Sequence, residues 1–453
     1  MSVRESGSRL LFYDLVSNGV QLQAMFNAKQ FVNQSKFQEI RRLIKRGDVV
    51  GFVGTPGKTK KGELSIFLSD VTLLSPCLRI LPHLHYGIKD REARHRKRYL
   101  DLLLNSDSMK KFTLRSKLVR HLRDFLDDLD FQEVETPLLN YTCGGASAKP
   151  FKTYHKELGQ ELFLRVAPEL YLKQLLVGGI ERVYEIGRQF RNEGVDRTHN
   201  PEFTMCEIYM AFADYEQFMS FVERLLRTLC EKLLDKTSFE YGNNLTVNMA
   251  SDFVRLDFMS ELQRRLDQKL NELNGLALTC RLPPAERLLE PDAEIALSHI
   301  CHNLQLNVAQ PQTAARCLDK LVSKLVEPHL QQPTFLINHP AVLSPLAKPH
   351  RSRPGLCERF ELYIAGKEIA NGYSELNDPQ LQRQRFMEQM AARNLGDQEA
   401  QQLDEAYCIA LEYGLPPASG VGIGIDRLTM LLTNSQSIKE VLLFPAMRPN
   451  ELL

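Results

Sequence analysis

Arg188-Gln-Phe-Arg191-Asn-Glu193-Gly, continued by Thr198-His-Asn-Pro-Glu-Phe203-Thr-Met-Cys-Glu207-Ile-Tyr209, is the stretch on which the reading of this chain turns. It joins an Arg–x–Glu pair, a short polar loop and a strand in which carboxylates and aromatics alternate. A pocket for a nucleotide and a charged small substrate needs those parts: a fixed guanidinium for phosphate, a ring for a base, acids for a cation. A matching second half lies far downstream, at Gly422-Ile-Gly424-Ile-Asp426-Arg427.

On one strand, Arg191 and Glu193 would face the same side. Arg191 then clamps an α-phosphate and neutralises charge that builds there, Glu193 accepts from an adenine amino group, and Phe203 stacks on the base. An isolated Arg–x–Glu is most often a surface ion pair; the polar and aromatic residues around this one reverse that reading. Glu207 and Tyr209 share one face of the next strand, and Glu169 opens a helix in Arg165-Val-Ala-Pro-Glu-Leu-Tyr. Two carboxylates and a phenol suit an ammonium group. Singly, each acid has a plainer role, at a helix dipole or on a solvated strand face. Gly145, in Gly144-Gly-Ala-Ser-Ala-Lys-Pro150, permits close backbone approach to a ligand, or simply a turn.

Glu361 and Glu368 fall on opposite legs of a tight hairpin, where two carboxylates can hold Mg²⁺ against triphosphate oxygens; an exposed charged hairpin is the plain alternative. Asn371, Tyr373 and Glu375 come next at period two. A strict two-residue turn sends these three to the opposite face, so service in one site requires a bulge near Ile369–Ala370. In Gly420-Val-Gly422-Ile-Gly424-Ile-Asp426-Arg427, close glycines are expected to let the strand run against a nucleotide, with Arg427 reaching the γ-phosphate. No βαβ unit comes after it, which excludes a dinucleotide fold, and Gly54-x-x-Gly57-Lys has the wrong spacing for a P-loop.

Composition is consistent with this. The 453 residues are 43% hydrophobic and 25% charged, enough for two or three domains. Lys plus Arg is 57 and Asp plus Glu 56, so any nucleic-acid binding rests on local patches. Nine scattered cysteines without a C-x-x-C pair read as reduced structural thiols of a cytosol-like compartment. No run of about 18 apolar residues occurs and the first residues lack a signal core, so a cytoplasmic protein with no membrane partner is expected.

The predicted architecture is α+β. Residues 1–76 read as a small β-barrel: strands at Leu10–Leu15, Val20–Phe26, Asp48–Gly54 and Leu64–Leu74, and a helix at Lys36–Arg46. A five-stranded barrel needs a strand before Leu10, and that strand is expected to be missing. Residues 77–108 are a basic connector with a helix at Arg91–Leu104. Residues 109–453 hold a helix at Thr113–Leu129, a strand ending at Pro137, further strands at 161–166, 182–186, 203–211 and 358–376, and helices at 168–177, 215–235, 312–326, 379–395 and 400–412. Residues 236–310 carry no legible motif.

Together these blocks resemble a class II aminoacyl-tRNA synthetase: the helix and strand ending at Pro137, residues 188–209 and residues 420–432 match its three motifs. Ala167-Pro-Glu-Leu-Tyr, Arg191-Asn-Glu-Gly, His199-Asn-Pro-Glu-Phe, Tyr373-Ser-Glu-Leu-Asn-Asp-Pro and Leu411-Glu-Tyr-Gly-Leu-Pro-Pro are very similar to the lysyl-tRNA synthetase family, from about residue 10 to 449. The resemblance implies an antiparallel-sheet catalytic domain behind an OB-fold barrel, a homodimer, and ligation of lysine to tRNA-Lys through lysyl-adenylate. It implies that Gly145, Glu169, Glu207, Tyr209, Asn371, Tyr373 and Glu375 bind lysine. Arg191, Glu193, His199, Asn200, Phe203, Glu368, Ile369, Gly424, Ile425, Asp426 and Arg427 hold ATP, with Arg191 and Arg427 catalytic. Glu361 and Glu368 bind Mg²⁺, and Phe12 and Gln23 contact the anticodon, although Phe12 also reads as plain strand core. The missing barrel strand puts tight anticodon binding in question and leaves the adenylate chemistry intact. Competing readings are a paralogue that passes lysine to protein, against which the barrel residues argue, and a non-catalytic scaffold, against which Arg191, Arg427, Glu361 and Glu368 argue.

Overall fold

The computed structural model describes residues 2–7, 9–17, 19–29, 34–82, 87–272 and 280–448. The chain divides into two units, Met1–Lys110 and Lys111–Leu453.

In the first unit, strands Ser2–Glu5, Leu10–Ser17, Val20–Asn27, Leu64–Ser75 and Val49–Lys58 lie side by side in that order. The expected gap is therefore filled: Ser2–Glu5 pairs antiparallel with Leu11–Asp14. A four-residue strand without apolar alternation escapes pattern reading because its fixing force is backbone hydrogen bonding. Asn18 lies outside the described residues. Leu11, Tyr13, Ala24 and Phe26 point inward onto Phe37 and Ile40 of the helix Gln34–Leu43, with the Phe26 and Phe37 rings 4.7 Å apart. The next residues along each strand face the other way by the period of two. Phe12 and Gln23 are among them: Phe12 pairs with Met25 and Asp14 with Gln23, off the core face. The edge strand Val49–Lys58 carries Pro56, which suits an edge because proline gives no ladder donor.

The connector helix breaks at Lys97 into Arg91–Arg96 and Arg98–Leu104. Buried Asp101 holds the two pieces at this break: Arg94, Arg98 and Asn105 all donate to it at 2.7–2.8 Å.

The second unit is built on an eight-stranded sheet. Five consecutive antiparallel pairings join Thr334–Ile337, Arg359–Ile364, Lys367–Ser374, Ala418–Gly424, Glu202–Ala211 and Arg182–Phe190. Short parallel strands, Val254–Asp257 and Gln132–Glu133, close the two ends. One face is covered by the helices Ser106–Asp127 and Tyr215–Leu234, whose Leu118, Leu122, Phe218 and Leu225 pack on Tyr184, Ile208, Val421 and Ile423. Asp214 starts the second helix with a capping box to Gln217. The other face is left to the site. The segment without a motif joins residues up to Leu325 in a second core: helices Phe258–Glu272, Pro291–Asn303 and Ala314–Leu325 bury Leu262, Leu297, Leu318 and Leu321. The helix expected from residue 400 begins at Glu405, capped by Asp404. Gln401 and Gln402, just before it, bond instead to the backbone of Gly145 and Cys143.

Candidate active site

The hairpin Arg359–Ser374 fixes one wall. Its loop is Ala365-Gly366, both at positive φ as a two-residue turn of this hand requires. Beyond it the register shifts: Tyr363 pairs with Glu368, but Leu362 pairs with Ala370 and Glu361 with Asn371. Ile369 is the extra residue, which is where the alternation required a bulge. Glu361, Glu368, Asn371 and Tyr373 thereby share one cavity of about 500 Å³.

The glycine strand forms the next wall, and its role differs from the expected one. A Cβ on Gly420 would lie 2.3 Å from the Tyr209 ring and 2.7 Å from Glu375 Oε1; one on Gly422 would lie 2.7 Å from Glu207 Oε1. These two glycines clear space for the acidic pocket across the strand pair, and only Gly424 stands beside Arg427.

In that pocket Glu169 and Glu207 are 5% and 6% exposed. The Tyr373 hydroxyl donates to Glu169 Oε1 at 2.6 Å, and the Tyr209 hydroxyl to Glu207 at 3.3 Å. Burial, then the charge of Glu169, pushes the Glu207 carboxyl up to about 8. Gly145 lines the same cavity at φ +88°, a conformation that selects glycine. Glu375 differs from expectation: it lies behind the lining, fully buried and paired with Lys173, which the spacing argument passed over.

The phosphate side centres on two arginines. The strand ends at Phe190, so Arg191 and Glu193 are not strand neighbours; Glu193 N–H donates to the Arg191 carbonyl in a tight turn. Both still line the cavity. Arg191 lies 5.2 Å from the Phe203 ring centre, and its Nε is buried without a hydrogen-bond partner. A buried guanidinium N–H without an acceptor is an unmet donor. Arg427 Nη1 donates to the Glu368 carbonyl and carboxylate, at 2.9 and 3.2 Å, while Nη2 lies 3.0 Å from His199 Nε2. That contact requires Nε2 to accept, so Nδ1 carries the proton and donates to Asp196 at 2.9 Å. Asp196, missed in the sequence, is held at about 2 against its partial burial by the Thr198 amide and the His199 ring.

Three expected ATP residues are also tied into the protein itself, although Asn200 and Asp426 still line the cavity. The Asn200 amide donates to the Glu202 carbonyl and accepts from Ala446 N–H. Asp426 accepts from Arg115 at 2.5 Å and from Thr204 N–H at 2.8 Å, which anchors the helix Ile425–Leu432 that carries Arg427. Ile425 is buried in the core and does not line the cavity.

The carboxylates at the hairpin have company. Arg359 donates to Glu361 Oε1 at 2.6 Å, the Tyr363 hydroxyl to Oε2 at 2.8 Å, and His339 stands 3.3 Å away. Against burial, His339 and Arg359 hold Glu361 below the ordinary carboxylate range. Asp319 and Glu327, which the sequence reading did not single out, open on the same cavity. The protein around them, then the charges of Glu361 and Glu368, pushes them up to about 6 and about 7. A divalent cation would relieve that crowding. Among the described residues no three acids, histidines or cysteines converge to enclose a metal. Two carboxylates on such a hairpin, Glu361 and Glu368, suit an ion that completes its shell with phosphate oxygens, the usual manner of Mg²⁺.

A mainly antiparallel sheet with this motif arrangement around one cavity defines a class II tRNA synthetase. Residues 90–448 match the family of tRNA synthetases class II (D, K and N), and residues 1–74 match the OB-fold nucleic acid binding domain family; the chain belongs to the class II synthetases. It is 48% identical to a lysine–tRNA ligase of Cladosporium cladosporioides, over 99% of this chain and 75% of that protein. It is 47% identical to a probable cytoplasmic lysine–tRNA ligase of Vairimorpha ceranae, over 98% and 84%. With the Escherichia coli lysine–tRNA ligase the identity is 41%, over 99% and 85%. The chain is a member of the lysine–tRNA ligase family, ATP-dependent enzymes that activate lysine and charge tRNA with it.

Proposed function

We propose that the cavity activates L-lysine with ATP and divides the work between its two ends. The lysine ammonium sits between Glu169 and Glu207 with Tyr209 and Tyr373 beside them, and Asn371 and Gly145 shape the backbone end. Arg191 holds the α-phosphate over the Phe203 side of the cavity, and Arg427 and His199 hold the outer phosphates. Glu361 and Glu368 would hold a Mg²⁺ ion, which would supply charge neutralisation for the triphosphate. The lysine carboxylate attacks phosphorus, and the Arg191 guanidinium gains contact as negative charge accumulates, so catalysis rests on position and charge without a covalent enzyme intermediate.

The observation that carries this reading is the juxtaposition in one cavity of two unmet needs: buried carboxylates without enough cations, and a buried guanidinium N–H without an acceptor. A lysine-dependent ATP–pyrophosphate exchange assay tests it, run beside charging of tRNA-Lys. Exchange that does not depend on lysine overturns the pocket assignment.

The outer face of the five-stranded unit supports anticodon reading. Phe12 is half-exposed with Arg4 near its ring, and Gln23 is fixed by the Ser65 hydroxyl, which donates to its Oε1 at 3.0 Å. A partly buried ring near a fixed, largely buried amide is suited to stacking and edge contact with a base. A homodimer and a cytoplasmic location rest on the family resemblance and the relatives' names. Among the described residues no helix is long and apolar enough to cross a membrane.

A further inference from the structure

Lys173 lies one turn after Glu169 in the helix Glu169–Val177, so its side chain covers the same helix face from the far side of the pocket wall. It is wholly buried, and it does not line the cavity that Glu169 lines. Its ammonium donates to Glu169 Oε1 at 2.6 Å and pairs with Glu375. The rings of Tyr373 and Tyr407 lie 5.3 and 6.0 Å away. The Tyr373 hydroxyl ends on the same Oε1. Both donors thus hold one oxygen of Glu169, Lys173 from behind the lining and Tyr373 from the cavity wall, and among the described residues none reaches Oε2.

Burying an ammonium is expensive, and a structural filler would be apolar. What this one does is chemical. Three carboxylates, Glu169, Glu207 and Glu375, stand at or just behind the pocket lining. One ammonium among them offsets part of their mutual repulsion. It also stands where a substrate ammonium would go if it penetrated one layer deeper. Burial opposes its charge, but Glu169 and Glu375 outweigh burial and hold its pKa above the ordinary lysine value.

Resting on the lysine-pocket reading above, we propose that Lys173 is a positioning and specificity-determining residue: a built-in ammonium that aims Glu169 from behind and sets the depth at which one incoming ammonium is bound. A shorter diamino acid would then leave its ammonium short of Glu169.

The test uses the whole chain and lysine-dependent ATP–pyrophosphate exchange. Lys173→Ala is expected to raise the KM for lysine at least tenfold while changing the KM for ATP less than twofold. Propylamine, which rebuilds the lost side chain beyond Cβ, should restore the lysine KM of this variant and only inhibit the parent enzyme. Lys173→Arg keeps the charge and protects the fold, but its larger head pushes Glu169 into the cavity; the kcat/KM ratio of lysine to ornithine should shift toward ornithine by at least fivefold. An unchanged ratio in a folded Lys173→Arg variant overturns the proposal, as does lysine affinity in Lys173→Ala that is lost without rescue by the amine. Glu169→Gln, measured alongside, separates the two levels. If it leaves the lysine KM unchanged, the pocket reading itself fails. If it raises that KM while the Lys173 variants show neither rescue nor a shifted ratio, only the role of Lys173 falls.

Discussion

Replacing Glu207 by glutamine should stabilise the free enzyme in mild alkali while abolishing selection of lysine. Glu207 is buried across from Gly422, and burial and Glu169 push its carboxyl from 4.5 up to about 8 in the empty pocket. The folded chain therefore keeps a proton that the unfolded chain releases. Between pH 4.5 and about 8 the native state binds more protons, so this residue makes stability fall as pH rises through that window. At about 1.36 kcal/mol per pK unit, the full penalty above pH 8 is on the order of 5 kcal/mol. Glutamine mimics the protonated acid and carries no such penalty. Denaturant midpoints of the two proteins should be close at pH 5 and should separate by pH 8.5, with the variant the more stable. Lysine binding should do the opposite. The incoming ammonium favours the ionised acid, so the parent enzyme should release a proton on binding lysine near pH 7. Calorimetry in two buffers of different ionisation enthalpy reads that proton directly. Parallel stability curves, or lysine binding without proton release, would show that Glu207 is already ionised and refute the reasoning.

Arg191→Ala should reduce exchange by at least a thousandfold with an unchanged thermal unfolding curve, since the guanidinium's Nε has no protein partner to lose; near-normal exchange would sink its assignment. Gly420→Ala should raise the lysine KM tenfold or more, because the added Cβ would meet the Tyr209 ring at 2.3 Å, a form of overpacking that costs about 1–3 kcal/mol. An unaltered lysine KM there would mean that Tyr209 stands clear of the substrate. Phe12→Ala should leave exchange intact and lower charging of tRNA-Lys through KM; by stacking magnitudes of about 1–3 kcal/mol per base the loss is roughly 5- to 150-fold, and equal charging by both proteins would remove Phe12 from the interface.

How much of this was legible in the sequence depends on the period that carried it. The two strands on either side of Ala365-Gly366 were readable because strand residues alternate, and the required bulge came from parity alone: an odd spacing between Glu368 and Asn371 cannot place both on one face without an extra residue. Glu207 and Tyr209 obeyed the same rule. Arg191 and Glu193 did not, because the strand had ended one residue earlier, at Phe190. Parity says nothing about where a ladder stops. The second role of Asp426 was hidden for a related reason: its partner in the ion pair, Arg115, is far away in sequence, although Asp426 still lines the cavity. The segment from 236 to 310 was opaque because no motif surrounds Phe258, which lines the cavity from it; just beyond, Arg316 and Asp319 reach the cavity from an amphipathic helix that no motif marked.

Lys173 shows why a pocket's charge balance is harder to read than its charges. Its spacing from Glu169 was in plain view, but an i,i+4 Glu–Lys pair is the commonest device of a solvated helix face, where it contributes only a few tenths of a kcal/mol. What turns the pair into part of a site is burial on both sides, and burial is decided elsewhere. Glu375 reaches Lys173 from just beyond the bulged hairpin, and Gly420 leaves the room for Glu375 to do so. A side chain larger than hydrogen at residue 420 would press on Glu375 and Tyr209 together. Glu169 and Lys173 on one helix, Glu375 just past the hairpin and Gly420 on the glycine strand thus bring this corner together from three separate parts of the chain. Each is ordinary by itself, and the selectivity is a property of their convergence.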